Sequence, residues 1–312
     1  MTEVVKYHSG LKEAWDGFVE HADNFSFLFC RDYMEYHSDR FSDMSLMLYN
    51  KGLLKALLPG NIKDDHFYSH QGLTFGGIVH HSHFTLEEAR LLLNKIVSYL
   101  RNENVKNFTI KMQPFFYASS HTQIQQYLFE SLKYEKHSQH IGAFINCNNH
   151  SFPKSSVEKR KLRLDNFYVQ EDVSIEEYWK VLEENLADQH KSKPVHTLAE
   201  IQLLQNKFPK NIKVFAIKNK FTHKIDAGIL VFDHGEIVKM QYIATSSDGR
   251  KNRATHALYF LFISHFKKSK KYIDMGTCMT GDEINTSLLY LKQRYGADVY
   301  SVNYYNLNTN KP

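Results

Sequence analysis

The sequence predicts an α/β protein made of two related domains, each a mixed central sheet flanked by helices. Strands rich in β-branched and aromatic residues alternate along the chain with helical patterns. The order of these elements in the first half recurs in the second half, although the residues themselves do not repeat. Because the order of helices and strands recurs, we predict one α/β domain in each half.

In the first half, helical and strand patterns alternate around one Gly-rich segment. We expect, in order, a helix near Leu11–His21, strands near Ser45–Tyr49 and Leu53–Leu58, the segment SHQGLTFGG at 69–77, a helix from Thr85 to about Arg101, a strand at 108–114, a helix near Thr122–Leu132 and a strand at 143–147.

The second half repeats this order after a polar connection. We expect helices near Ser174–Asn185 and Thr197–Lys207, strands at Val214–Lys218, Gly228–Phe232 and Ile237–Ala244, a helix at Arg253–Phe266, a strand at Tyr272–Cys278, a helix near Ser287–Tyr295 and a strand at 300–307. Segment 146–165 is polar and basic, as is typical of a connection over the surface. We therefore place the two domains at 1–150 and 151–312.

Three predicted helix starts carry a hydroxyl residue followed three positions later by Glu. These residues are Thr85, Ser174 and Thr197. In such a capping box the hydroxyl and the carboxylate satisfy backbone N–H groups of the first turn, so we expect these hydroxyls to be structural.

Composition indicates a folded protein with ordinary cores. The 312 residues are 42% hydrophobic and 14% aromatic.

Cys30, Cys147 and Cys278 lie far apart and form no CxxC pair, which argues against a disulfide framework or a zinc knuckle and favours a reducing cytoplasm. No apolar run approaches the roughly 18 residues of a membrane span, so we expect a soluble, unexported chain. The formal net charge of +5 permits anionic ligands without indicating nucleic acid.

The loop SSDGRKNR, just before the helix at Arg253, carries its charge in an unusual place. A helix N-terminus carries about half a positive charge and favours acidic neighbours, yet Arg250, Lys251 and Arg253 crowd this one. Backbone N–H groups, the helix dipole and basic side chains would together hold a pyrophosphate. The alternative is a solvated basic loop whose cations point away from the helix axis, and charge alone leaves both open.

Several stretches of the second half form a recognisable set. They are QYIATSSDGR leading into a helix, YIDMG, and LKQRYGA, which looks like the FK-x-x-FG pattern of Fem-type domains. Together they resemble the GNAT acyltransferase superfamily, and more closely its tandem-domain, Fem-like branch. Segment 176–209 is similar to bacterial GNAT proteins associated with surface-polysaccharide biosynthesis.

The resemblance implies an N-acyltransferase that uses acetyl-CoA, without a metal, to acylate the amine of a nucleotide-linked amino sugar. In the resembled fold, the strand before the loop splays outward and its backbone N–H groups hold the thioester carbonyl. The residues that would bind the donor are Gln241, Ile243, Ala244, Ser246, Gly249, Arg250, Lys251, Asn252 and Arg253. The superfamily's loop reads Q/R-x-x-G-x-G/A, whereas residues 250–255 lack both glycines, so cationic side chains would replace some backbone contacts.

Acyl transfer from a thioester requires a neutral amine, a polarised carbonyl and a proton for the departing thiolate. Tyr242 is the candidate acid, and a tyrosine packed against the sheet is the alternative. His196 is the candidate base, because the dipole of the helix after Thr197 should keep its imidazole neutral. His190 is a second candidate base, and either histidine can equally be a surface or loop residue.

The first domain is expected to bind the acceptor. Its Gly-rich segment suits close backbone approach to a ligand, and a tight turn between two core strands is the alternative. The expected acceptor contacts are Ser69, His70, Gln71, Gly72, Thr74, Lys111, Asn185 and Asp274. The run His80-His81-Ser82-His83 lacks a second group of ligands at zinc-site spacing, so a solvated loop is favoured there.

Two other functions stay open at this point. One is Fem-like transfer of an amino acid from charged tRNA, but the long helical arm of the tRNA-using enzymes is not evident, which favours a thioester donor. The other is a non-catalytic scaffold whose loop no longer binds a donor.

Overall fold

The computed structural model describes residues 2–82, 84–118, 122–132, 134–153, 164–171 and 173–310, without the side chains of Thr122 and His190. The chain divides into unit 1, Met1–His140 with Ser301–Pro312, and unit 2, Ile141–Tyr300. The predicted division lay between residues 150 and 151. The difference arises because the strands β9 (Glu135–Asn146) and β17 (Asp298–Asn308) each run past a point where the chain changes unit.

Unit 1 combines two sheets with helices. Its helices are α1 (Lys12–Glu20), α2 (Arg31–Met34), α3 (Leu86–Asn102) and α4 (Thr122–Ser131). Its remaining strands are β1 (Thr2–Lys6), β2 (Ser42–Asp43), β3 (Leu46–Asn50), β4 (Leu53–Leu58), β5 (Asn61–Lys63), β6 (His66–Tyr68), β7 (Val79–His80) and β8 (Asn107–Lys111). One sheet has the order β1-β3-β4-β7, and in the other the strands β17-β8-β6-β5-β2 are neighbours.

The core of unit 1 is organised by one face of α3. Ala89, Leu92, Leu93, Ile96 and Leu100 recur at helical spacing and are buried. They belong to one apolar cluster with residues of both sheets, among them residues of β3 and β8. Burying each such side chain contributes about 1.5–3 kcal/mol.

Unit 2 contains one mixed sheet and a short hairpin. Its helices are α5 (Ile175–His190), α6 (Leu198–Lys207), α7 (Ser247–Lys251), α8 (Ala254–Phe266) and α9 (Thr286–Gln293). Its further strands are β10 (Phe167–Glu171), β11 (Ile212–Asn219), β12 (Ile225–Asp233), β13 (Ile237–Thr245), β14 (Tyr272–Thr277), β15 (Met279–Thr280) and β16 (Glu283–Ile284). The sheet order is β10-β11-β12-β13-β14-β9, and β13 and β14 run parallel while the other neighbours run antiparallel.

Helices cover both faces of the unit 2 sheet. Ala227 and Ile229 of β12 join the apolar cluster that contains Leu258 and Phe262 of α8. The alternate residue Gly228 faces α5, since a Cβ there would lie 2.9 Å from the ring of Tyr178. The predicted fold class, mixed sheets flanked by helices, is therefore confirmed.

Most predicted helices and strands are confirmed, and the exceptions are informative. The short strands β1 and β10 and the helix α7 were not predicted, because a few residues carry too little periodicity. The capping boxes at Thr85 and Thr197 are confirmed. The one at Ser174 is wrong: its side chain makes no cap hydrogen bond, and Glu177 instead forms an ion pair with Lys218 at 2.8 Å.

In the part of the chain that the structure describes, no helix has both the length and the apolar character needed to cross a bilayer.

Candidate functional site

The site is built around an irregular stretch of β13. Leu230 of β12 pairs with Tyr242, but the next residue, Val231, pairs with Met240, so Gln241 is an extra residue in a β-bulge. On the other side, the parallel pairing of β13 with β14 ends at Lys239, although β13 continues to Thr245. Both strands are fully described, so the edge from Met240 to Thr245 has no ladder partner in β14. The outward splay expected for this strand is present.

Two of the candidate catalytic residues meet on this strand. Nδ1 of His196 lies 2.7 Å from Oη of Tyr242, and their rings meet edge to face. His196 is brought there by the start of α6, where the Thr197 capping box fixes the helix entry. The imidazole is buried, with 8% of its surface exposed.

Helix α5 supports Tyr242 from the same side. The hydroxyl of Tyr178 donates to the carbonyl O of Tyr242 at 2.8 Å, and the ring of Trp179 meets the Tyr242 ring edge-on at 5.9 Å. Burial raises the pKa of Tyr242 above its ordinary value of 10, and backbone N–H groups of His196 and Val195 partly offset this. The phenol is therefore a protonated group at neutral pH.

The chain after β13 forms α7, where a loop was predicted. Oγ of Ser246 accepts the N–H of Gly249 at 3.0 Å, and the Ser246 N–H donates to the carbonyl O of Asp226 at 2.9 Å. A Cβ at Gly249 would collide with that same carbonyl of Asp226, so only glycine lets α7 approach β12 this closely. Ser246 and Gly249 thus shape the turn.

Three other expected donor contacts make internal bonds. Arg250 donates to the carbonyl O of Thr245 at 2.9 Å, and Lys251 pairs with Asp248 at 2.9 Å on the exposed surface. Asn252 donates to the buried carboxylate of Asp226 at 2.9 Å. These bonds hold the turn in place. Contact with a donor by these residues stays a prediction, as it does for Ile243 and Ala244 on β13.

Arg253 differs from its neighbours. It is the N-cap of α8 and has left-handed backbone angles, φ 60° and ψ 31°, which cost a non-glycine residue roughly 1–2 kcal/mol. No hydrogen bond or ion pair of its exposed guanidinium is found among the described residues, so this cation is available beside the first-turn amides of α8.

A groove of about 520 Å³ lies on the β12 side of α7. Glu177, Glu184, Asp226 and Asp248 contribute to its wall, against the cations of Lys224 and Lys251. Acidic groups outnumber basic ones there, which disfavours a pyrophosphate. Neither Tyr242 nor His196 lines this groove.

The two acceptor contacts predicted in unit 2 have defined partners. Oδ1 of Asn185 accepts the Thr245 N–H at 3.4 Å, which places it at the end of β13. Asp274 is 1% exposed and accepts from Lys239 at 3.1 Å and from Tyr300 at 2.9 Å. Asp274 therefore has a structural task, and its contact with an acceptor stays a prediction.

In unit 1 the Gly-rich segment connects β6 of one sheet to β7 of the other and contains one turn, closed by the Leu73 N–H, which donates to the carbonyl O of His70 at 3.2 Å. Oγ of Ser69 accepts the Lys111 N–H at 2.8 Å, and a Cβ at Gly76 would collide with the carbonyl of Ser69. The side-chain amides of Gln71 and Asn61 pair at 3.0 Å. A Cβ at Gly72 would collide with the ring of His37. The segment thus contains a turn but does not join two strands of one sheet, and ligand contact by it, including by half-buried Thr74, stays a prediction.

His70 sits at the start of this turn with φ 63° and is 3% exposed. Its ring stacks on His37 at 5.0 Å. Burial, together with smaller contributions from the neighbouring His37 and Arg31, lowers the pKa of His70 to about 3. His70 is therefore neutral in the folded protein.

Two of the chemical predictions concern side chains that lie outside the described part of the chain. The side chain of His190 lies outside the described residues, so its candidacy as a base is not addressed. His83 also lies outside them, and no group of three or more metal-ligating side chains is found in the described ranges.

Sequence reasoning gave no role to Tyr178, Trp179 and Lys292. Tyr178 and Trp179 look like core aromatics in the sequence, and only the fold places them against Tyr242. Lys292 had a visible signal, since it is the lysine of LKQRYGA, and it proves to be 2% exposed. A buried lysine requires a specific set of acceptors.

The fold is shared with several solved structures. FemX aligns with a TM-score of 0.67 over 96% of both chains, at 10% identity. L-PGS from Bacillus licheniformis aligns with a TM-score of 0.61 over 97% of this chain and 92% of that one, at 10% identity. A tandem GNAT protein from the clavulanic acid biosynthesis pathway aligns with a TM-score of 0.55 over the whole of both chains, at 10% identity.

The chain has a tandem GNAT-like fold. No protein-family model matches it, and neither does any curated protein sequence. At 10% identity, these alignments show a shared fold and nothing about activity.

Replacing His70 tests its burial as a neutral group. An unfolded histidine titrates near pH 6.5. The folded pKa is lower, so the unfolded state binds the extra proton, and stability falls as pH drops from about 6.5 toward 3. His70→Asn, which tolerates the left-handed backbone, should reduce this loss by about 1.4 kcal/mol per pH unit. Urea unfolding at several pH values measures the slope, and equal slopes would contradict the assignment.

Arg253 allows a matched pair of variants. Arg253→Ala and Arg253→Gly both remove the guanidinium, but only glycine also removes the backbone strain. We expect the Ala variant to be about 1 kcal/mol less stable than the Gly variant in urea unfolding. Equal stabilities would show that the left-handed conformation is not retained in solution.

Proposed function

We propose that the protein is a cytoplasmic N-acyltransferase that uses acetyl-CoA to acetylate the amine of a nucleotide-linked amino sugar for surface-polysaccharide biosynthesis. The observation that carries the proposal is the 2.7 Å contact between His196 and Tyr242 at the open edge of β13. The acceptor class is supported only by the resemblance of segment 176–209.

The residues near β13 fit an acyl-CoA donor. The anionic end would be held by Arg253 and the first-turn amides of α8, where helix dipole and guanidinium act together. The edge from Met240 to Thr245 has no ladder partner in β14. Apart from the Tyr242 carbonyl and the Thr245 carbonyl and N–H, which already bond to side chains, its backbone groups would serve an extended chain as the edge of a sheet serves an added strand. When bound, acetyl-CoA supplies the activated acyl group.

His196 and Tyr242 can move the protons that acyl transfer requires. Tyr242 gives its hydroxyl proton to the departing sulfur. Nδ1–H of His196 replaces that proton on Oη, and Nε2 of His196 takes the proton lost by the attacking amine. One proton leaves the amine, one reaches the sulfur, and both side chains end neutral, so the relay balances.

This relay assigns one tautomer to His196. For Tyr242 to donate toward sulfur, the hydrogen in the 2.7 Å contact must belong to Nδ1, which leaves Nε2 as the acceptor. The raised pKa of Tyr242 keeps the phenol protonated, which suits an acid and not a base.

Removing the Tyr242 hydroxyl should reduce turnover without reducing donor binding. Tyr242→Phe keeps the packing against Trp179, and we expect kcat to fall by about a hundred- to ten-thousandfold. His196→Gln, which cannot relay a proton, should lower kcat by a similar amount. Thiol release with acetyl-CoA and a set of nucleotide amino sugars measures the effect.

A tyrosine on the same sheet serves as the matched control. Tyr168→Phe makes the identical change on the edge strand β10, where the hydroxyl lies 3.4 Å from His223, and should leave kcat within about twofold. If Tyr242→Phe behaves like Tyr168→Phe, Tyr242 is a packing residue and the relay is wrong.

A second candidate is Fem-like transfer of an amino acid from charged tRNA. The alignment with FemX, at a TM-score of 0.67 over nearly the whole chain, favours it at the level of fold. The same open edge and the same proton relay would serve an aminoacyl ester. The two candidates differ in the donor, and donor binding separates them.

Thermal unfolding with each donor tests the choice. Acetyl-CoA at a hundred times its dissociation constant should stabilise the protein by about 2.7 kcal/mol and raise its Tm. A shift with tRNA alone, weakening steeply with salt because phosphate contacts release counterions, would instead support the amino-acid transfer. No shift with either donor would support the non-catalytic scaffold.

A further inference from the structure

Strand β14 bends where it leaves β13. Its parallel pairing with β13 ends at Asp274, and on its other side it shifts register against β9: Asp274 pairs with Phe144, but the next pair is Thr277 with Gly142. Met275 and Gly276 therefore stand opposite the single residue Ala143, so β14 carries one extra residue here, and Gly276 has φ 77°, in the left-handed region. This bulge follows directly after the last residue of β14 that pairs with β13.

Asp274 lies at the start of this bend and accepts three hydrogen bonds there. Oδ1 accepts the Gly276 N–H at 2.8 Å and the Tyr300 hydroxyl at 2.9 Å, while Oδ2 accepts from Lys239 of β13 at 3.1 Å. One buried carboxylate thus joins the last paired residue of β13 to the bend. The ring of Tyr300 lies against Gly142, where any Cβ would collide with it.

Lys292 of α9 binds two backbone carbonyl groups at the bend. Its Nζ donates to the carbonyl O of Gly276 at 2.9 Å and of Thr277 at 2.8 Å, and the side chain is 2% exposed. Gly276 is buried and lies in the bulge, while Thr277 is exposed and is the residue at which β14 pairs with β9 again. A buried carbonyl without a donor costs about 1–3 kcal/mol, so without Lys292 the bend would relax.

The rest of LKQRYGA fixes the position of this lysine. The Tyr295 hydroxyl lies 2.6 Å from Nδ1 of His256, which ties the end of α9 to α8. Gly296 follows with φ 83°, and a Cβ there would lie 2.9 Å from His150. The segment therefore holds Lys292 against β14.

We propose that Lys292 and Tyr300 are positioning residues for the acyl donor: by fixing the bend in β14 they keep the edge of β13 from Met240 to Thr245 open for the donor's extended arm. This proposal rests on the proposed function. Neither residue is required to touch the reacting atoms, so their loss should weaken donor binding and leave the chemical step nearly intact.

Lys292→Met removes the donor group at similar side-chain length. By calorimetry, well below the Tm, the dissociation constant for acetyl-CoA should rise about tenfold, while kcat at saturating donor stays within about threefold. Hydrogen exchange at the Gly276 and Cys278 amides should accelerate even without donor. A purely stabilising residue would lower the Tm without changing the dissociation constant of the folded protein.

Lys271→Met is the matched control. Lys271 immediately precedes β14 but is about half exposed and pairs with Glu236 at 2.7 Å, so neither donor affinity nor exchange at the bend should change. If Lys292→Met does not fold, Tyr300→Phe, which removes one hydrogen bond and keeps the ring on Gly142, is judged by the same two measurements.

The outcomes separate the two proposals. If the wild type binds acetyl-CoA and the variant binds it equally, the positioning role is wrong and the proposed function stands. If the wild type does not bind acetyl-CoA, the proposed function fails and the donor-positioning role fails with it; faster exchange at Gly276 would then show only that the bend depends on Lys292.

Discussion

The architecture of unit 2 depends on one buried carboxylate. Asp274 accepts from Lys239 of β13, from Tyr300 and from the Gly276 amide, at the level where the two parallel strands separate. A buried anion is tolerated only when paired and hydrogen-bonded, and these donors meet that requirement. The bulge at Gln241 of β13 and the bend of β14 both follow directly after this point, one on each strand. A regular sheet would pair the edge that the candidate site uses.

Local signals predicted local structure well. The strand, turn and helix around Arg253 were expected, and α8 does begin directly after that residue. The final strand was expected too, but its residues from Ser301 to Asn308 belong with unit 1, since pairing between Tyr304–Asn308 and β8 joins positions about two hundred residues apart. Periodicity shows that a strand exists and not which strand it joins. The predicted boundary differed for that reason.

The residues of the candidate site could be predicted one by one, but their arrangement in space could not. His196 and Tyr242 were each candidates on separate arguments, and the fold brings them together across 46 positions of sequence. For Lys292 the motif was recognisable, but the role of the residue was not. Its task is to satisfy two carbonyls of a bend that only tertiary structure creates. The left-handed backbone of Arg253 likewise could not be predicted from the sequence, because a residue type in a loop does not determine its own φ.

A comparison of two neighbouring tyrosines bears on whether Tyr242 is structural. Tyr178 satisfies its hydroxyl with a backbone carbonyl, which accepts a hydrogen bond but takes no proton. Tyr242 instead meets an imidazole, whose two ring nitrogens can donate a proton on one side and accept one on the other. Packing against Trp179 requires neither the hydroxyl nor the histidine, and a phenylalanine would fill the same space. The contact between Tyr242 and His196 is thus better suited to moving a proton than to filling a core, which is why the relay is placed there.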